Sequence, residues 1–428
     1  MIFGLRRLSN SAGEATATVG TAADGAAPAG IGAALTGGAV MAGVVPPAGT
    51  DGNTQAARWL VRRSRARREC SVPGRSPTGC RVGRVPGHCL TGSDVMDTFS
   101  PPKHGHWPYI STGHLPEAET VQDLVREAHA RFRSNNEGEN SKVYPALERA
   151  PSDLFGVCIA GTRGQIYAAG HTDYDFTIMS VSKPFVFALV CDVIGPEEAR
   201  DKLGANATGL AFNSLGAVEQ MPEARTNPMV NSGAIATTSL VPGASEADKW
   251  KFIHEGLSKF AGRTLPLNEE VYASASATNF RNRGLARLLQ SYNRIYSDPK
   301  VATDLYTRQC SLNVCAKDLA VMGATLADGG VNPLTRQRVV DVSVCHYTLA
   351  AMATAGLYET SGDWLYDIGL PGKSGIGGGI VAVSPGKGGF GTFAPRLDAA
   401  GNSVKGQLAA KFLSQSLGMD LFVSNAET

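Results

Sequence analysis

Six consecutive apolar residues, Phe185 to Val190, follow directly on Ser180-Val-Ser-Lys183-Pro184, and no other stretch constrains the fold as tightly. Pro184 belongs in the first turn of a helix, where its missing N–H has no intrahelical partner to lose. A helix that begins near Ser180 and is apolar on all sides must be enclosed by other elements. Ser180 and Lys183 then lie one turn apart on the same face. Desolvation lowers the pKa of a buried lysine until part of its population is neutral amine, and the N-terminal peptide dipoles favour negative charge on the serine. That is the physics of an S-x-x-K nucleophile. The bland alternative, a helix cap beside a solvated lysine, requires a polar face that this run does not provide.

Two pairs of short β-type runs bracket a helical middle. Residues 155–160 and 165–169 are joined by Gly161-Thr-Arg-Gly164, a hairpin signal. Residues 379–383 and 390–393, separated by Pro385-Gly-Lys-Gly-Gly389, predict a second hairpin. Apolar spacing predicts helices over 120–132, 250–261, 279–292, 302–309, 316–327 and 402–417, with the polar run 135–141 as a loop. The expected fold class is α+β, with an antiparallel sheet drawn from both ends of the core and a helical middle subdomain over about residues 185–345.

The 428 residues carry a net charge of +2, unevenly distributed. Residues 1–95 hold eleven arginines against five acids, a balance of +6 that leaves −4 on the other 333. This first segment, Ala/Gly-rich and then Arg-rich, cannot bury a core and is read as a low-complexity, disordered or targeting segment. Residues 96–428 form the catalytic domain, with Met96 as an alternative start. The run 29–45 is too short and glycine-rich for a membrane span. No nucleic-acid or membrane partner is expected; the location is cytoplasmic, or organellar (mitochondrial) if residues 1–95 are a targeting segment. Eight cysteines form no C-x-x-C pair and no His/Cys cluster, so neither a metal site nor a disulfide framework is expected, and no cofactor.

Two further stretches carry chemistry: Asn227-Pro-Met-Val-Asn231-Ser-Gly, and Lys373-Ser-Gly375-Ile376 with the glycines after it. An amide side chain near the nucleophile can orient a substrate, and a glycine-rich strand edge lets backbone N–H groups approach an oxyanion. Their bland readings are a turn-satisfying asparagine and a turn before a strand. With Phe212-Asn-Ser214, Arg281-Asn282-Arg283, Asp304-Leu-Tyr306, Gly356-Leu-Tyr358 and Pro385-Gly-Lys387, these pieces occur in an order that resembles the serine-dependent glutaminases, relatives of the β-lactamases and penicillin-binding proteins, over roughly residues 117–424. The resemblance implies a β-lactamase-like fold, a homo-oligomer (dimer or tetramer), and hydrolysis of the side-chain amide of L-glutamine to L-glutamate and ammonia. It implies Ser180 as acylated nucleophile and Lys183 as base, with Tyr358 relaying protons. Substrate contacts fall on Ser180, Asn231, Asn282, Tyr306, Tyr358 and Ile376, the Ser180 and Ile376 N–H groups forming the oxyanion hole.

Three departures stand against that pattern. The family's substrate-binding glutamate in V-Y-x-S-E is Ala275 here, the residue before the nucleophile is Met179 instead of Gln, and the early K-V-A-D-Y-I-P motif is shortened to Lys142-Val-Tyr144-Pro145. Tyr144 is the candidate for the family's active-site tyrosine. The loss at Ala275 leaves two outcomes: another acid, such as Glu269, Glu270 or one from a partner copy, reaches the site, or the substrate is different. The alternatives to glutamine hydrolysis are a Ser/Lys hydrolase of another small amide or ester, and a catalytically weak or non-catalytic relative.

Overall fold

A computed structural model describes residues 113–424; the readings made for residues 1–95 lie outside that range. Five strands, β1 (Gly156–Gly161), β2 (Ile166–Gly170), β3 (Gly372–Ser374), β4 (Gly379–Ser384) and β5 (Gly388–Phe393), form one antiparallel sheet in the order β2-β1-β5-β4-β3. Both hairpins expected from the glycine signals are present. They join edge to edge through β1 and β5, with Ile159 opposite Phe390, so the two ends of the core make one sheet. The helices that position the site are α1 (Ala118–Phe132), α2 (Ser182–Ile194), α3 (Asn231–Ser239), α4 (Glu246–Ala261), α5 (Glu269–Thr278), α6 (Phe280–Ser291), α7 (Pro299–Cys310), α8 (Ala316–Ala327), α9 (Val342–Ala355) and α10 (Val404–Ser416).

Alternation along the strands assigns the layers. Val157 and Ile159 of β1 join Ile380, Ala382 and Phe390 in a cluster with Val121 and Val125 of α1 and Leu413 of α10. Cys158 and Ala160 point the other way, onto Ala320, Val321 and Ala324 of α8. Burial is close on that side because β5 carries glycine where it crosses the helix. A Cβ on Gly389 or Gly391 would overlap backbone atoms of Ala320 and Ala324, or of Ala316 and Ala320. Within the stretch 185–345, expected as a helical middle, α8 packs directly on the sheet. α3, α4 and α9 pack against α2, whose residues Ser182 to Cys191 are all buried.

Local chemistry shifts several boundaries. α4 begins at Glu246, four residues before the first apolar position, because Ser245 and Asp248 form a reciprocal capping box. The α-helix of the nucleophile stretch begins at Ser182; Ser180 stands one step earlier, in a 3-10 turn over Met179–Val181. Within the polar run 135–141, Glu139–Asn140 pairs with Arg396–Leu397 as a two-residue ladder. Lys373-Ser374 lies inside β3 itself, not in a turn before a strand. Asp318 of α8 accepts from the Cys315 N–H and from Arg263 through both carboxylate oxygens, at 2.8 and 2.6 Å, tying α8 to the segment after α4.

Candidate active site

The 3-10 turn brings Ser180 to the floor of a cavity of about 260 Å³, at the junction of the sheet edge and the helices. Ser180, Asn231, Asn282, Tyr306, Tyr144 and Ile376 all line it, and Ala275 opens onto it from α5. The residue before the nucleophile, Met179, has φ 47°, and Tyr358 has φ 60°. Left-handed backbone is costly for such side chains and persists where the surroundings over-determine it. Here both strained residues flank one hydroxyl. Gly375, at the end of β3, is close enough to the turn that a Cβ there would stand 3.3 Å from the Ser180 nitrogen. Among the described residues neither the Ser180 nor the Ile376 N–H has a backbone acceptor.

Lys183 is fully enclosed, and burial lowers its pKa to about 7. Its Nζ donates to Asn231 Oδ1 at 2.7 Å and to Met229 O at 3.3 Å. Tyr306 donates to the same Asn231 oxygen at 3.1 Å. With Oδ1 taken twice, the Asn231 amide must turn its Nδ2 outward, where it donates to Asn282 Oδ1 at 2.9 Å. The chain Lys183–Asn231–Asn282 thus sets the orientation of both amides, and the N–H groups of Asn282 are left toward the cavity. Burial pushes the Tyr306 hydroxyl well above its usual range, so it serves as a donor and not as a phenolate.

Tyr358 donates to Ser374 O at 3.1 Å and lies close enough to Ser180 for that hydroxyl to lower its pKa. Burial raises it to about 12, against the lowering effect of the Ser180 and Ser374 bonds. Lys373 lies beneath it, Nζ 4.2 Å from the ring centroid, and donates to Gly356 O and Ser374 O at 2.6 and 2.8 Å. Burial first, then repulsion by Lys183, drives Lys373 toward the neutral amine. The Tyr144 hydroxyl is raised to about 12 by burial, and the ring packs with Met179 and Val271 at the mouth.

Every residue expected at the site is therefore brought together, with one qualification of geometry: the hydrogen bonds of Lys183 go to Asn231 and Met229 and not to Ser180. The acids considered as substitutes at Ala275 are not in the cavity lining. Glu270 is engaged by Arg149 and faces a neighbouring cavity. Arg281 and Cys310 also line the site without having been assigned a role from the sequence. Both stood in motifs that carry the resemblance, Arg281 in Arg281-Asn-Arg283 and Cys310 in Asp304-Leu-Tyr306-Thr-Arg-Gln-Cys-Ser311.

The glutaminase profile matches residues 138–422, the region just described. The chain is 72% identical over 320 residues to Glutaminase 2 of Yersinia pestis, covering 75% of this chain and 94% of that one. The chain belongs to the glutaminase family. A glutaminase of Colwellia psychrerythraea is 45% identical over 307 residues, 72% of this chain and 99% of the relative. Among solved structures, a probable glutaminase named ybaS superposes with a TM-score of 0.71 at 44% identity, covering 72% of this chain and 100% of that chain. Native Mglu superposes with a TM-score of 0.67 at 35% identity, covering 72% and 75%. The fold is that of these β-lactamase-like glutaminases, and the protein is an amidohydrolase.

Proposed function

We propose that the chain releases ammonia from L-glutamine through an acyl-enzyme on Ser180, with Lys183 as the base. The glutaminase activity follows from family membership; the assignment of steps to residues is the proposal. One observation carries it. A neutral lysine amine has two N–H groups and one lone pair, and both N–H groups of Lys183 already have acceptors in Asn231 Oδ1 and Met229 O. The lone pair is then free for the proton of Ser180, one turn away, at a pKa of about 7 that leaves a large part of the amine neutral near physiological pH.

Ser180 Oγ bonds to the amide carbon as its proton passes to Lys183. Negative charge on the carbonyl oxygen is met by the Ser180 and Ile376 N–H groups, and the first turn of α2 adds its dipole. The C–N bond breaks as the proton returns to the departing nitrogen by way of the Tyr358 hydroxyl, and ammonia leaves. Water then attacks the acyl carbon, its proton following the same route, and the bond to Ser180 breaks to release glutamate. Asn231, Asn282 and Tyr306 hold the substrate, and Tyr144 closes the mouth over it. Mglu has been crystallised in a glutamate form, which supports a product site on this fold.

The proposal extends to residues 96–428 as the catalytic domain, to a cytoplasmic location, and to assembly as a homo-oligomer. No helix among the described residues is long and apolar enough to cross a membrane. Ser180→Ala and Lys183→Ala should each abolish ammonia release, and the double variant should lose no more than either single one, because the pair acts as a unit. Full activity in Ser180→Ala would end the mechanism.

A further inference from the structure

L-Glutamine brings three polar groups to a pocket: the amide, a carboxylate and an ammonium. The cavity in front of Ser180 is equipped for two of them. Among the described residues its lining holds one charged side chain, Arg281, and no carboxylate. Arg281 donates its Nε to Asn213 O at 2.6 Å, and its two terminal nitrogens have no partner among the described residues. The Nδ2 of Asn282 likewise has none, because only its Oδ1 is engaged. These are donors, suited to a carboxylate.

Two amide acceptors of the lining are occupied, and the others, such as the side chains of Asn213 and Asn279, carry no charge. Asn231 Oδ1 is filled by Lys183 and Tyr306, and Asn282 Oδ1 by Asn231. Ala275 presents a methyl group, 3% exposed, at the point where α5 meets the cavity. The two acids of α5 are five and six positions earlier, which puts them more than 100° around the helix from Ala275. Glu270 is in addition held by Arg149. Lys183 and Lys373 lie behind Ser180 and Tyr358, so the ionisable groups of lining and wall are basic or phenolic apart from the Cys310 thiol, which burial keeps protonated. An ammonium entering this field gives up its water and meets no compensating charge.

We propose that the site prefers, over L-glutamine itself, the terminal amides of five-carbon dicarboxylic acids that carry no α-ammonium, such as glutaramate and its 2-oxo analogue. This rests on the reading of Ser180 and Lys183 as nucleophile and base. The chemistry is unchanged: the serine oxygen displaces ammonia from the amide carbon, water displaces the serine, and one amide plus one water gives one dicarboxylate plus one ammonia. What changes is which molecule is positioned. The small Ala275 side chain leaves the α-carbon of the substrate against a methyl group, and the donors of Arg281 and Asn282 take the distal carboxylate.

Ammonia release from glutaramate and from L-glutamine by the full chain, compared as kcat/KM, tests the idea. Because a charge-assisted hydrogen bond is missing, glutaramate is expected to be ahead by about tenfold or more. Glutarate should likewise compete with substrate about tenfold better than L-glutamate does. Ala275→Glu should reverse both orders, raising kcat/KM for glutamine by about tenfold. L-Glutamine equal to or better than glutaramate in the unaltered protein overturns the proposal while leaving the glutaminase mechanism intact, and would point to an acid supplied by a partner copy. Ammonia from neither amide overturns both. The unaltered protein decides the matter even if Ala275→Glu does not fold.

Discussion

Lys183→Met separates what the lysine does for the reaction from what it costs the fold. Burial moves the amine from an ordinary 10.5 to about 7, so holding it charged at or below pH 7 costs on the order of 5 kcal/mol relative to an exposed lysine. Methionine fills the same channel with no charge. It also removes the donors to Asn231 Oδ1 and Met229 O; the first keeps Tyr306, and the second is left bare, so the two losses together cost about 2–3 kcal/mol. The balance at pH 7 is a gain of about 2 kcal/mol, a rise in Tm of about 4 °C for a domain of this size. The sign changes with pH. A depressed folded pKa means that the unfolded chain binds the extra proton between pH 7 and 10.5, so the unaltered protein becomes more stable across that window while the variant gains nothing from this group. The two stability curves should cross near pH 9, roughly. Burial still holds Lys373 toward the neutral amine in the variant, with the smaller contribution from Lys183 repulsion removed. Thermal unfolding at pH 6, 7, 8 and 10, beside an ammonia assay showing a loss of at least about a thousandfold, checks both halves. A variant less stable at pH 7, or a gap that does not change with pH, refutes the reasoning.

The acid limb of kcat/KM should rise through about pH 7, as Lys183 loses the proton that blocks its lone pair; a flat profile from pH 5 to 8 excludes that amine as the base. Asp318→Ala removes a bidentate partner of Arg263 and the acceptor for the Cys315 N–H, and should cost about 2–4 kcal/mol in chemical denaturation with little change in KM. Deleting residues 1–95 should leave Tm and ammonia release unchanged; a Tm lowered by many degrees would show that the segment contributes to the folded state.

The sheet was legible because its signals are local. Gly161-Thr-Arg-Gly164 and Pro385-Gly-Lys-Gly-Gly389 demand turns, and the alternation beside them demands strands. The third partner of the second hairpin, Gly372–Ser374, was not, since three residues with a lysine at the centre carry no period. Gly389 was read as a turn residue and Gly391 as part of a strand, yet it is the crossing of α8 that excludes side chains at both, a fact about a helix some 70 positions away in the chain. At the site, Ser180 and Lys183 were readable from spacing and the apolar run, and Asn231, Asn282, Tyr306 and Tyr358 from resemblance. What spacing could not give is the direction of the amides, which follows only when Lys183 and Tyr306 are seen to share one oxygen. Arg281 and Cys310 became visible as pocket residues only in three dimensions.

The central claim is that Ser180 carries the acyl group, and Cys310, in the same cavity, is the nucleophile that could carry it instead. Burial raises the Cys310 thiol and keeps it protonated, whereas Ser180 has a lysine amine one turn away. Peptide mass spectrometry after treatment with a diazoketone analogue of glutamine separates the two. The account predicts one added mass, on the peptide containing Ser180, absent in Ser180→Ala and unaffected by Cys310→Ser. A label on Cys310, or one that persists at full yield in Ser180→Ala, would contradict it.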